Sequence, residues 1–81
     1  MNNENKKKYQ DTFIKSLSID GKKFNEKIKY NEISEWDSIG HMTLMSELEG
    51  AFNITIDTDD IVDFSSFNKG FEILEKYGVK F

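Results

Sequence analysis

Large apolar side chains recur three and four positions apart in three separate stretches of this chain, a period that fits helices and not strands. Tyr9, Phe13 and Leu17 stand four apart and Ile14 widens their stripe, which predicts a helix from about Asn3 to Leu17. Asp37 is a good N-cap for a second helix over Ile39 to Phe52, a rod of about 21 Å at roughly 1.5 Å per residue. On this rod Leu44, Met45, Leu48, Ala51 and Phe52 share one face, while Ile39, Met42, Thr43, Ser46 and Glu49 fall on an adjoining arc that need not be buried. Gly50 weakens the rod by up to about 1 kcal/mol relative to Ala, so it is expected to serve close packing or an early end. Ser65 or Ser66 caps a last helix that carries Phe67, Phe71 and Leu74 on one stripe and stops at Gly78.

The intervening segments are less regular. Asp20-Gly21 breaks the first pattern, and from Lys22 to Trp36 the apolar residues Phe24, Ile28, Tyr30, Ile33 and Trp36 follow no period. This reads as a long connection with at most one helical turn, pinned to the core by those side chains; loops of such length in small domains are often functional. Asn53 to Asp57 alternates like a strand but has no partner of similar quality, so it reads as an extended loop with Ile54 and Ile56 turned inward. Thr58 is expected to cap a short helix through Asp63, with Asp59 and Asp60 in its first turn, where the dipole favours anions. The sum is an all-α chain: one domain over residues 1–81, a small antiparallel four-helix bundle of three long helices and one short. Its expected core is Phe13, Leu48, Phe52, Phe71 and Leu74.

Composition narrows the chemistry. With no cysteine and one histidine, a disulfide scaffold, a Cys-based zinc site and a His-rich metal site are excluded. No apolar run approaches the roughly 20 residues that span a bilayer, and the start of the chain lacks a signal-peptide apolar region, so no membrane insertion and a cytoplasmic location are expected. Charge is split along the chain. Residues 1–30 hold eight Lys against four acids, whereas residues 31–68 hold nine acids and no Lys or Arg. The net charge of −4 disfavours nucleic acid, and the acidic block suits a solvated face or a docking face for a basic partner.

The residues that carry chemistry lie where the long connection meets the second helix, at Glu35-Trp36-Asp37-Ser38-Ile39-Gly40-His41-Met42. A hydroxyl in the first turn projects beside unpaired backbone N–H groups and the positive end of the dipole, a setting that stabilises a phosphate anion. Gly40 is expected to keep the adjoining surface flat for an arm or a modifying enzyme.

At these residues the chain resembles the acyl carrier proteins and related phosphopantetheine carriers. The resemblance spans about residues 3–78. It rests on Asp37-Ser38-Ile39 opening the second helix, on Leu44, Leu48, Glu49 and Phe52 at the family's spacing after that serine, on the Ile54/Ile56 loop, and on an acidic short helix before a Ser-Ser-Phe cap. The resemblance implies a bundle of acyl-carrier type with covalent 4′-phosphopantetheine on Ser38, added from coenzyme A by a phosphopantetheinyl transferase. It further implies that Asp37 helps to bind the transferase's magnesium ion, and that acyl or aminoacyl cargo is held as a thioester and presented to partner enzymes. Ile39-Gly40-His41-Met42 after the serine, with Thr43 and Gly50 at positions typically acidic in housekeeping fatty-acid carriers, points to a specialised biosynthetic pathway.

Around Ser38 the acids Glu35, Asp37, Glu49, Asp59 and Asp60 are expected to form a negative rim, with Ile39 and Met42 as its apolar centre. Partners would be transferases and acyl-loading enzymes with basic patches, bound weakly by a monomeric, non-catalytic carrier. Ser38 and His41 do not make a hydrolase pair, since the first helical turn offers no orienting group and Trp36 stands where a nucleophile elbow needs Gly. His41 instead reads as a packing or partner-contact residue. Met42 and Met45 read as core filler or as a wall that parts for cargo. Asp57-Thr58-Asp59-Asp60 is no calcium loop, because Val62 and Asn68 stand where Gly and Glu are required. The alternative to a carrier is an unmodified acidic helical adaptor, which would tolerate Ala at position 38.

Overall fold

The computed structural model describes residues 3–81 and contains four helices: α1 (Asn3–Leu17), α2 (Ser38–Phe52), α3 (Thr58–Asp63) and α4 (Phe67–Lys76). Three of them end in the same way. Ser18, Asn53 and Gly78 adopt positive φ, and the next residue, Ile19, Ile54 or Val79, returns its N–H to the carbonyl five positions back. This closure satisfies carbonyls that the helix end would leave bare, and it turns an apolar side chain back onto the last turn. At the other ends, Asp37 and Ser66 cap α2 and α4 through their side chains. Thr58 is not the cap of α3; it is the first helical residue, and Asp57 holds the cap position without a side-chain bond.

Contacts at both ends of α1 fix the topology. Lys8 Nζ lies 5.3 Å from the Phe52 ring centre, at the far end of α2, while Leu17 packs at Gly40 in the first turn of α2. Asn5 donates to the Lys80 carbonyl at 2.8 Å and Tyr9 stacks on Phe67, so α1 also runs antiparallel to α4. The long connection makes no helical turn. It lies across the bundle, joined to the segment before α4 by Tyr30 N–H to Ser65 O and Phe67 N–H to Ile28 O. Ile28 and Trp36 are buried, Phe24 and Ile33 half-buried, and Tyr30 largely exposed.

The core is aromatic: Tyr9, Phe13, Trp36, Phe64 and Phe67 are fully buried along with Leu44, Leu48 and Leu74. Burial pushes the Tyr9 phenol well above its ordinary pKa, and its OH donates to the Phe67 carbonyl at 2.6 Å. Phe13, Leu48 and Leu74 match the expected core. Phe52 and Phe71 lie at its margin, half-buried, with the ring of Phe81 against both. Gly50 serves neither packing nor termination: nothing lies within 4 Å of its Cβ position and α2 runs on to Phe52. Among the described residues, no helix is long and apolar enough to cross a membrane.

Candidate functional site

Trp36 sets the start of α2. Its indole is buried edge-on against Phe13, which holds the chain in the core one residue before the Asp37 cap. Asp37 Oδ1 then accepts from Gly40 N–H at 2.8 Å, and its carbonyl accepts from His41 N–H at 2.8 Å. The first-turn N–H groups of Ser38 and Ile39 have no intrahelical acceptor. Ser38 is exposed, and among the described residues nothing hydrogen-bonds its hydroxyl. Other serines differ: Ser66 caps α4, and Ser34 Oγ donates to Glu35 Oε1 at 3.2 Å.

Gly40 acts inside the protein and not as a flat surface. A Cβ there would stand 2.2 Å from the Glu35 carbonyl oxygen, so the loop backbone can cross the helix at that point only over glycine. The Glu35 side chain is tied down as well, with Lys23 Nζ at 3.5 Å. Its carboxyl lies below its ordinary value, first through a hydrogen bond to its own backbone N–H and then through Ser34 and Lys23.

His41 lies one turn beyond Ser38, faces inward and is 8% exposed. Trp36 Nε1–H donates to His41 Nδ1 at 2.9 Å. Because indole can only donate, the ring proton sits on Nε2, which donates to the Ile61 carbonyl of α3 at 2.8 Å. His41 is therefore a packing residue that couples three segments, the end of the connection, α2 and α3. Tyr30 and Phe64 meet it edge-on, and with Ile61, Val62 and Ser65 they line an open pocket of about 270 Å³. Neither the Trp36–His41–Ile61 relay nor Val62 was legible beforehand, since a Trp and a His five apart across a helix start form no pattern.

The expected acidic rim survives in part. Asp59 is exposed on α3. Asp60 is a correction: it is 7% exposed, its Oδ1 pairs with Lys76 Nζ at 2.5 Å and its other oxygen accepts from the Tyr77 hydroxyl. The Lys76 bond first, and the Tyr77 bond next, hold the Asp60 carboxyl below its ordinary value. Glu49 is half-buried and accepts from Ile56 N–H at 2.8 Å, which fastens the loop after α2. Ile39 (78% exposed) and Met42 (55%) are on the surface as expected, and Val62 of α3 (79%) is a further exposed apolar residue. Among the described residues no group of three His, Cys, Asp or Glu side chains is placed to hold a metal ion. The chain matches no protein-family model, and no curated protein or solved structure is significantly similar to it.

Proposed function

We propose that this protein is a carrier of acyl-carrier type, with 4′-phosphopantetheine attached to Ser38 and cargo held on it for partner enzymes of a specialised biosynthetic pathway. The observation that carries the reading is the Ser38 hydroxyl, exposed and unbonded at the first position of α2, beside a carboxylate cap and two free backbone N–H groups. The residues fit such a group: Ser38 is exposed, and a phosphodiester on it would meet the positive end of the helix dipole. In that modification the Ser38 oxygen would form the new bond to the pantetheine-side phosphorus of coenzyme A. The pyrophosphate P–O bond would break with adenosine 3′,5′-bisphosphate leaving with its electron pair, and the hydroxyl proton would pass to a base of the transferase. Asp37, the carboxylate next to the nucleophile, is the group available to help hold the transferase's magnesium. When bound, the arm supplies a terminal thiol for thioester chemistry; the chain's own part is to present Ser38 rigidly through Trp36, Asp37 and Gly40.

Intact mass after incubation with coenzyme A and a promiscuous phosphopantetheinyl transferase tests this. Wild type should gain one phosphopantetheine and Ser38→Ala none, with unchanged helical circular dichroism in the variant. A gain on Ser38→Ala would refute the assignment. The exposed Ile39, Met42 and Val62 also favour a second reading, an unmodified adaptor that binds a protein through this patch. That reading requires Ser38→Ala to keep full partner binding.

A further inference from the structure

We infer that His41 is a specificity-determining residue that limits the cargo to groups too short or too polar to be buried in the protein. The inference rests on the carrier reading of Ser38. An apolar chain on an arm at Ser38 would lower its free energy by leaving water, and the open pocket lined by Tyr30, His41, Ile61, Val62, Phe64 and Ser65 begins one turn away. The Trp36–His41–Ile61 relay joins α2 to α3 at the wall of that pocket, so a chain passing inward between the two helices would have to part it. Opening this path breaks two hydrogen bonds and leaves the Trp36 indole N–H, which is fully buried, without an acceptor. Aliphatic carbon offers no replacement for either bond. The interior offers no free space of its own, since Trp36, Phe64, Leu44 and Met45 are each at most 1% exposed. With the relay closed, an apolar group meets only the walls of this open pocket, Tyr30, Ile61, Val62 and Phe64, and stays in contact with solvent.

The test loads Ser38 from acetyl- and octanoyl-coenzyme A with a promiscuous transferase and reads the melting temperature of each form. In wild type the two forms should melt together, because the longer chain stays in solvent. In His41→Ala the relay is gone and an apolar cavity opens, so the octanoyl form should melt higher than the acetyl form. His41→Gln offers an amide oxygen to Trp36 and an amide N–H to Ile61, and should restore the wild-type indifference to chain length. A purely structural role for His41 would lower both loaded forms equally and leave no chain-length dependence. An octanoyl form of wild type that melts well above its acetyl form would overturn the inference while leaving Ser38 as the attachment site. If neither coenzyme A thioester adds mass at Ser38, the carrier reading and this inference fall together. Should His41→Ala not fold, the wild-type pair still decides.

Discussion

At the scale of single residues, three glycines lie inside helices, and what surrounds each Cα gives them opposite roles. A Cβ at Gly70 would stand 2.0 Å from the Tyr9 hydroxyl oxygen and 2.4 Å from the Phe64 ring, and one at Gly40 would strike the Glu35 carbonyl. Gly70→Ala should therefore cost about 1–3 kcal/mol or more through overpacking, and Gly40→Ala should be destabilising for the same reason. Gly50 faces open solvent, so Gly50→Ala should stabilise by up to about 1 kcal/mol. Urea denaturation of the three variants checks the order; a destabilised Gly50→Ala would contradict the open surroundings of that position. None of this difference was legible, because what decides it is a tyrosine or a carbonyl brought close from elsewhere in the chain. The aromatic residues obey the same limit. Phe13→Ala should cost about 3–5 kcal/mol, whereas Phe52→Ala should cost clearly less, since its ring is only half-buried under Lys8 and Phe81.

At the scale of elements, the spans of all four helices were legible to within about two residues of the period and cap signals, as was the extended loop at Asn53–Asp57. The facing of α3 was not, since six residues are too few for a helical stripe to show which side is inward. What turns Asp60 inward is Lys76 and Tyr77, sixteen and seventeen positions away, with Tyr77 OH also accepting from Asp57 N–H at 2.9 Å. This cluster fastens α3 to the end of α4 and gives stability a defined pH dependence. The folded Asp60 carboxyl lies below its unfolded value of about 3.9. Its contribution is thus full above roughly pH 5 and is lost as pH falls through the unfolded and then the lower folded value. Lys76 and Tyr77 are both raised, each first by its bond to Asp60, so their contributions hold below about pH 10 and are lost as pH rises through their folded values. Asp60→Asn should flatten both limbs in melting temperatures taken from about pH 3 to pH 11, leaving on the acid side the dependence due to Glu35. An unchanged alkaline limb in Asp60→Asn would show that the cluster does not hold α3.

At the scale of the whole molecule, folding partly undoes the division of charge along the chain. Lys23 reaches Glu35 and Lys76 reaches Asp60, so two of the acids in the lysine-free block are partnered by bases from outside it. Glu49 supports Ile56, which makes Glu49→Lys a poor probe of docking because it disturbs a loop as well as a field. Asp59 and Asp63 are exposed on α3, and α3 is tied to the Ser38 end of α2 through His41 and the Ile61 carbonyl. They share α3 with the exposed Val62, so a partner with a basic surface docking on α3 would meet an apolar side chain flanked by carboxylates. A field of this kind acts mainly on the rate of encounter and is screened over about 8 Å at physiological salt. The rate of Ser38 modification at limiting transferase should therefore fall with added salt, and fall several-fold in Asp59→Lys. Lys7 is exposed on the lysine-rich α1, and Lys7→Glu should leave that rate unchanged. Should Lys7→Glu slow modification more than Asp59→Lys, encounter runs over the basic helix and the acidic block is only a solvated surface.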